Sequence, residues 1–152
     1  MTTTIAESGS NVRSRLGNAT RDYGGAQIRA HCHHLATVVT IRGEISLDNL
    51  DCVIDATRRF VLLGNPLVLD LSNVKLVGTV GISLLNIIAE DCRAARVDWT
   101  LVAGGAVIDL LRDCDVEPAF PITWSVREAL KNFAEAIVKR RQLMLPLIGK
   151  TA

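Results

Sequence analysis

The segment that most restricts the fold is LVLDLS at residues 67–72. NVKLV follows it, then Gly78, Thr79, Val80 and Gly81, and then ISLLNIIAEDCRAA. A run that is apolar at successive positions belongs to a central strand covered on both faces. The apolar positions after it, 82, 84, 85, 87, 88 and 92, fit a helix with a broad buried stripe. A buried strand that hands over directly to a helix is the repeating step of an α/β chain.

The rest of the chain keeps that rhythm. QIRAHCH at 27–33 reads as a first strand and the β-branched ATVVTIR at 36–42 as a second, joined as a hairpin. Residues 48–62 carry Leu50, Val53, Ile54 and Ala56 or Phe60 at helical spacing, with Ser46 or Asp48 as the expected cap. Gly64, Asn65 and Pro66 end that helix. DWTLVA at 98–103 reads as a fourth strand, 106–113 as a short helix and FPIT at 120–123 as a short strand, with a turn through Asp115, Glu117 and Pro118 between. The last helix is expected over 125–141, with Thr123 or Ser125 as its N-cap and capping-box spacing from Ser125 to Glu128. The order ββαβαβαβα predicts one α/β domain: a mixed sheet of four to five strands with about four helices packed on it. Residues 1–25 are polar and read as a flexible arm, 26–140 as the domain and 141–152 as a fraying tail.

Composition narrows the function. The net charge is +1 and aromatics are 4% of the 152 residues, which argues against nucleic acid as a partner. Cys32, Cys52, Cys92 and Cys114 match no zinc ribbon and read as reduced, partly buried thiols. No run approaches the roughly 18 to 20 apolar residues of a membrane span. The first residues carry no apolar core of a secretory signal, so a cytoplasmic location is expected. No nucleotide fingerprint occurs, and AGGA at 103–106 reads as a plain strand-to-helix turn. His31 and His33 fall on one face of their strand and Cys32 and His34 on the other, too few ligands per face for zinc. Asp70 and Asp91 are paired carboxylates only by chance of folding. The expectation is a non-enzyme without cofactor or metal.

GEISLDN at 43–49 and LVLDLSNVKLVGTVGISLL at 67–85, together with the element order, resemble the STAS domain family over about residues 26–138. That family includes bacterial anti-sigma factor antagonists and the cytoplasmic domains of sulfate transporters. The resemblance implies a sheet with helices on one side. It also implies partner switching, in which an anti-sigma factor of kinase type phosphorylates a loop hydroxyl and ATP is the kinase's substrate. Antagonists typically carry Asp-Ser-Ser-Gly at this loop. Here Gly78 stands at the Asp, Thr79 at the acceptor serine and Val80 at the second serine, and only Gly81 matches.

Two readings of Thr79 stand side by side. It is the N-cap of the following helix, worth about 0.5 to 2 kcal/mol, with the glycines permitting a tight turn. Or it is a reversible phosphoacceptor, where a phosphate adds about −1.5 to −2 charge at a helix N-terminus. The partner surface is expected around Ser46, Asp48, Asn49, Ser72, Asn73, Gly78, Thr79, Val80, Gly81 and Ser83, with Ser83 as a core-edge hydroxyl. The alternative is a phosphorylation-independent scaffold for a small ligand, a nucleotide or another protein. IVKRRQLMLPLIG at 137–149 is basic and then apolar, and reads either as a helix end with a tail or as a segment that touches a membrane surface or a partner groove. A homodimer is permitted and nothing in the sequence requires one.

Overall fold

A computed structural model describes residues 20–76, 79–113 and 120–151, with the side chains of 144–151 left aside. Six strands and four helices alternate: β1 (Thr20–Tyr23), β2 (Ala26–Cys32), β3 (Thr37–Ile45), α1 (Leu50–Val61), β4 (Leu67–Leu76), α2 (Val80–Ala95), β5 (Trp99–Ala103), α3 (Gly105–Asp113), β6 (Ile122–Thr123) and α4 (Val126–Thr151). The strands line up in chain order in one mixed sheet. β1, β2 and β3 are antiparallel neighbours; β3, β4, β5 and β6 are parallel, each joined to the next through a helix.

The sheet has one more strand than the upper expectation. β1 lies in the stretch read as a flexible arm. It pairs Thr20 with Arg29 and Tyr23 with Ala26 across a two-residue turn. The turn needs positive φ at both positions, and Gly24 (63°) and Gly25 (106°) supply it. The Gly-Gly pair was the available hairpin signal, masked by the polar β1 itself. The turn through Asp115, Glu117 and Pro118 lies outside the described residues, as does Cys114.

The main core lies on one face of the sheet. Val39 and Ile41 of β3, Leu67, Leu69 and Leu71 of β4 and Leu101 of β5 meet Val53 and Ile54 of α1, Leu84, Leu85 and Ile88 of α2, and Val107 and Leu111 of α3. Each side chain of this size contributes about 1.5 to 3 kcal/mol when withdrawn from water. The alternate residues of the same strands, Val38, Val68 and Val102, form a second cluster with Ala36 and Ala129, against which Val126, Leu130 and Phe133 of α4 pack. Those four α4 positions are one helical stripe.

The helices therefore occupy both sides of the sheet, α4 opposite the other three. This corrects the one-sided arrangement implied by the family resemblance, and agrees with the two-faced apolar run of β4. α4 opens with the expected box: the Glu128 N–H donates to Ser125 Oγ (3.1 Å), and the Trp124 N–H donates to Glu128 Oε2 (3.1 Å). It continues to Thr151 instead of fraying after Arg141. No helix among the described residues is long and apolar enough to cross a membrane.

Candidate functional site

The parallel strands bring two loops together. The last residues of β3 and β4, Ile45 and Leu76, are register partners. β5 stops at Ala103 opposite Leu71, so β4 runs on alone through residues 72–76 on that side. The loop after β3 and the loop before α2 thus leave the sheet side by side, at the carboxyl ends of parallel strands, where α/β folds place their sites. Gly104 is part of this construction. A Cβ there would lie 2.2 Å from the carbonyl oxygen of Ser72, so AGGA is a close-packing turn.

Asn49 holds the first loop in shape. It is 3% exposed. Its Oδ1 accepts from the Ser46 N–H (2.9 Å), and its Nδ2 donates to the carbonyls of Glu44 (2.8 Å) and Gly24 (3.1 Å). The amide ties the β1–β2 turn, the end of β3 and the loop into one unit. Asn49 is the N-cap residue of α1 by position but makes no side-chain cap bond, and neither Ser46 nor Asp48 takes that place. Among the residues expected to meet a partner, Asn49 has its amide fully committed to backbone. Asp48 is exposed and Ser46 half-buried. Between them Leu47 stands out at 80% exposure. Sequence reasoning missed it; its signal was an apolar residue flanked by polar ones in a turn.

Thr79 occupies the N-cap position of α2 with φ −93°, ψ 11°, and its side chain makes no capping hydrogen bond. Its backbone carbonyl accepts from the Ile82 and Ser83 N–H groups, while the residue itself is exposed. The cap reading of the hydroxyl is therefore set aside: the oxygen is not spent on the helix. Val80 (5% exposed) and Gly81 point inward. Gly81 is inside the helix, not in a positive-φ turn. A Cβ there would come within 2.6 Å of the Leu76 and Leu110 side chains, so close packing explains it. Gly78 lies outside the described residues.

Down α2, Ser83 is exposed rather than at the core edge, and Asn86 and Glu90 continue the same polar stripe from Thr79. Asn86 went unnoticed in the sequence because polar residues on a helix carry no individual signal. Ser72 and Asn73 are exposed at the end of β4. The Ser72 hydroxyl and N–H both donate to Asp70 Oδ1 (2.6 and 3.0 Å). Asp91 instead receives Arg58 Nε (2.9 Å), an ion pair that joins α1 to α2 and raises the guanidinium pKa. Asp70 and Asp91 therefore do not meet.

Other sequence expectations shift in the same way. Cys92 is buried, but Cys32 and Cys52 are exposed thiols. Burial, aided by the negative charge of Asp91, pushes the Cys92 thiol up to about 11. β2 ends at Cys32, so strand alternation stops there. His33 and His34 stack with ring centroids 4.4 Å apart instead of facing opposite ways. Among the described residues, no group of three or more His, Cys, Asp or Glu side chains is placed to hold a metal ion.

This geometry has relatives. The STAS domain profile matches residues 27–129, and the chain belongs to that family. Osmosensory protein A of Mycobacterium tuberculosis is 54% identical over 158 aligned positions, covering all of both chains. The fold is shared with an anti-sigma factor antagonist from Mycobacterium paratuberculosis (24% identity, TM-score 0.60, 72% of this chain and 94% of that one). It is shared also with the anti-sigma factor antagonist SpoIIAA in its unphosphorylated form (11% identity, TM-score 0.57, 71% and 96%). The fold also resembles part of SLC26A9 (20% identity, TM-score 0.54), covering 77% of this chain but 22% of that protein.

Proposed function

We propose that this chain is a regulatory binding module that acts as an anti-sigma factor antagonist. It binds an anti-sigma factor of kinase type through the Leu47 loop, Thr79 and the exposed stripe of α2, and so releases a sigma factor by competition. Phosphorylation of Thr79 switches the interaction off, and the chain acts by binding rather than by catalysis. The single observation that carries this reading is the exposed Thr79 hydroxyl, unused by its own helix and set beside a loop that presents Leu47. A phosphate at that point is tolerated by the N-terminal end of the helix. The same charge and bulk are costly in a desolvated interface, so the fold is unchanged while binding is lost. Leu47 supplies the apolar anchor such an interface needs.

The test mixes the chain with each anti-sigma kinase domain of its own source organism, with and without ATP. The expected result is a complex with one of them, weakened about thirtyfold by Leu47→Asp, the roughly 2 kcal/mol of an anchor residue. ATP then transfers one phosphate to Thr79, found by peptide mapping across residues 76–93, and the complex dissociates. Thr79→Ala keeps the complex through ATP addition and keeps the thermal stability, since no cap bond is lost. No complex in either state overturns the reading. A complex that ignores ATP, or phosphate at another residue, overturns the switch and leaves a constitutive binding scaffold.

A further inference from the structure

α4 covers only part of its side of the sheet. It packs against the cluster of Val38, Val68 and Val102, while Thr20, Gln27, Arg29, His31 and Arg42 stay exposed beside it. There Thr20, Gln27, Arg29, His31, Val38, Thr40 and Arg42 line a groove of about 410 Å³. The pairing register fixes their layout. Arg29 lies between Thr20 and Thr40, Gln27 is opposite Arg42 and His31 opposite Val38. Arg29 and Arg42 are thus diagonal neighbours on one face, a separation of about 7 to 8 Å between backbones.

The lining is rich in donors. Two guanidiniums, a side-chain amide, two hydroxyls and an imidazole surround a single apolar wall, Val38. Asp22, Glu44 and Asp70 share this face of the sheet, and none of them lines the groove. Asp22 accepts from the Gly25 N–H, Asp70 from Ser72, and Glu44 is opposite Lys75. Among the described residues no carboxylate pairs with Arg29 or Arg42 within 4 Å. Two like charges held as neighbours repel, and an anion between them removes that repulsion. Arginine forks match phosphate oxygens two at a time. The volume is that of a small-molecule site.

We infer that this groove is a binding site for a small phosphorylated molecule, its phosphate held between Arg29 and Arg42 with Thr20, Gln27 and Thr40 as further donors. The site is on the sheet face opposite α2, so it does not depend on the partner-switching reading above. The test titrates the full chain with inorganic pyrophosphate and with inorganic phosphate by calorimetry, and follows backbone amide shifts by NMR. Saturable binding of one pyrophosphate is expected, with shifts centred on residues 29, 31, 40 and 42. Arg29→Gln and Arg42→Gln should each weaken it by about ten- to hundredfold, the span for a hydrogen bond to a charged group. Arg112→Gln, on exposed α3, should leave it unchanged. All three positions are exposed, so each variant should keep the wild-type unfolding temperature. Absence of saturable binding overturns the inference, as does binding that Arg29→Gln and Arg42→Gln leave intact, or shifts that spread over all surface arginines.

Discussion

Replacement of Asn49 tests how the loop beside Thr79 is held. The Asn49 amide makes three hydrogen bonds from a position 3% exposed. Asn49→Ala leaves the Ser46 N–H and the Glu44 and Gly24 carbonyls without these partners. At about 1 kcal/mol each, the loss is about 3 kcal/mol, a large share of a domain's total stability. Asn49→Asp is the sharper variant. It keeps the acceptor for the Ser46 N–H but turns carboxylate oxygen toward two carbonyl oxygens that the native side chain meets at 2.8 and 3.1 Å. At pH 7 it should be no more stable than Asn49→Ala, despite being nearly the shape of the native residue.

The pH dependence of Asn49→Asp has a definite sign. Burial and facing carbonyls raise the introduced carboxyl above its unfolded value, about 3.9. Its protonated form is then the one that folding prefers. Relative to wild type, the variant should regain stability as pH falls toward 4 and lose it as pH rises through the folded pKa. Urea unfolding followed by far-ultraviolet circular dichroism, at pH 7 and near pH 4 with wild type in parallel, measures both effects. An Asn49→Ala loss below about 0.5 kcal/mol, or an Asn49→Asp protein more stable than Asn49→Ala at pH 7, would refute the reasoning.

Two further predictions rest on packing and titration. Gly104→Ala should cost about 3 kcal/mol, because the new Cβ meets Ser72 backbone at 2.2 Å. Gly81→Ala should cost about 1 kcal/mol or less, since its obstacles are the movable ends of Leu76 and Leu110 and alanine favours the helix; equal losses in urea unfolding would contradict this contrast. Cys92, whose thiol titrates near 11 when folded against about 9 when unfolded, should contribute stability below pH 9 that is lost between pH 9 and 11. Cys92→Ala should lack that component, and peptide-resolved thiol labelling at pH 8 should modify Cys32 and Cys52 well before Cys92; simultaneous labelling would count against its burial.

Much of this protein was legible without coordinates because local chemistry sets it. The β-branched runs, the apolar stripes of α1 and α2, the breaker at Gly64–Pro66 and the capping box at Ser125 each report a preference of neighbouring residues for one backbone state. Together they determined the α/β order and placed Thr79 at a strand-to-helix junction. Tertiary structure decided what depends on residues far apart in the chain. β1 exists because Gly24 and Gly25 turn a polar segment back onto β2. α4 crosses to the second face because Val38, Val68 and Val102, from three separate strands, align into one apolar strip there. Asn49 became a clamp only when Gly24 was folded against it, and Arg29 and Arg42 became one site only through the pairing of β2 with β3. Side-chain direction along a strand or helix follows from the sequence period, but which distant backbone or charge it meets is fixed by register and packing.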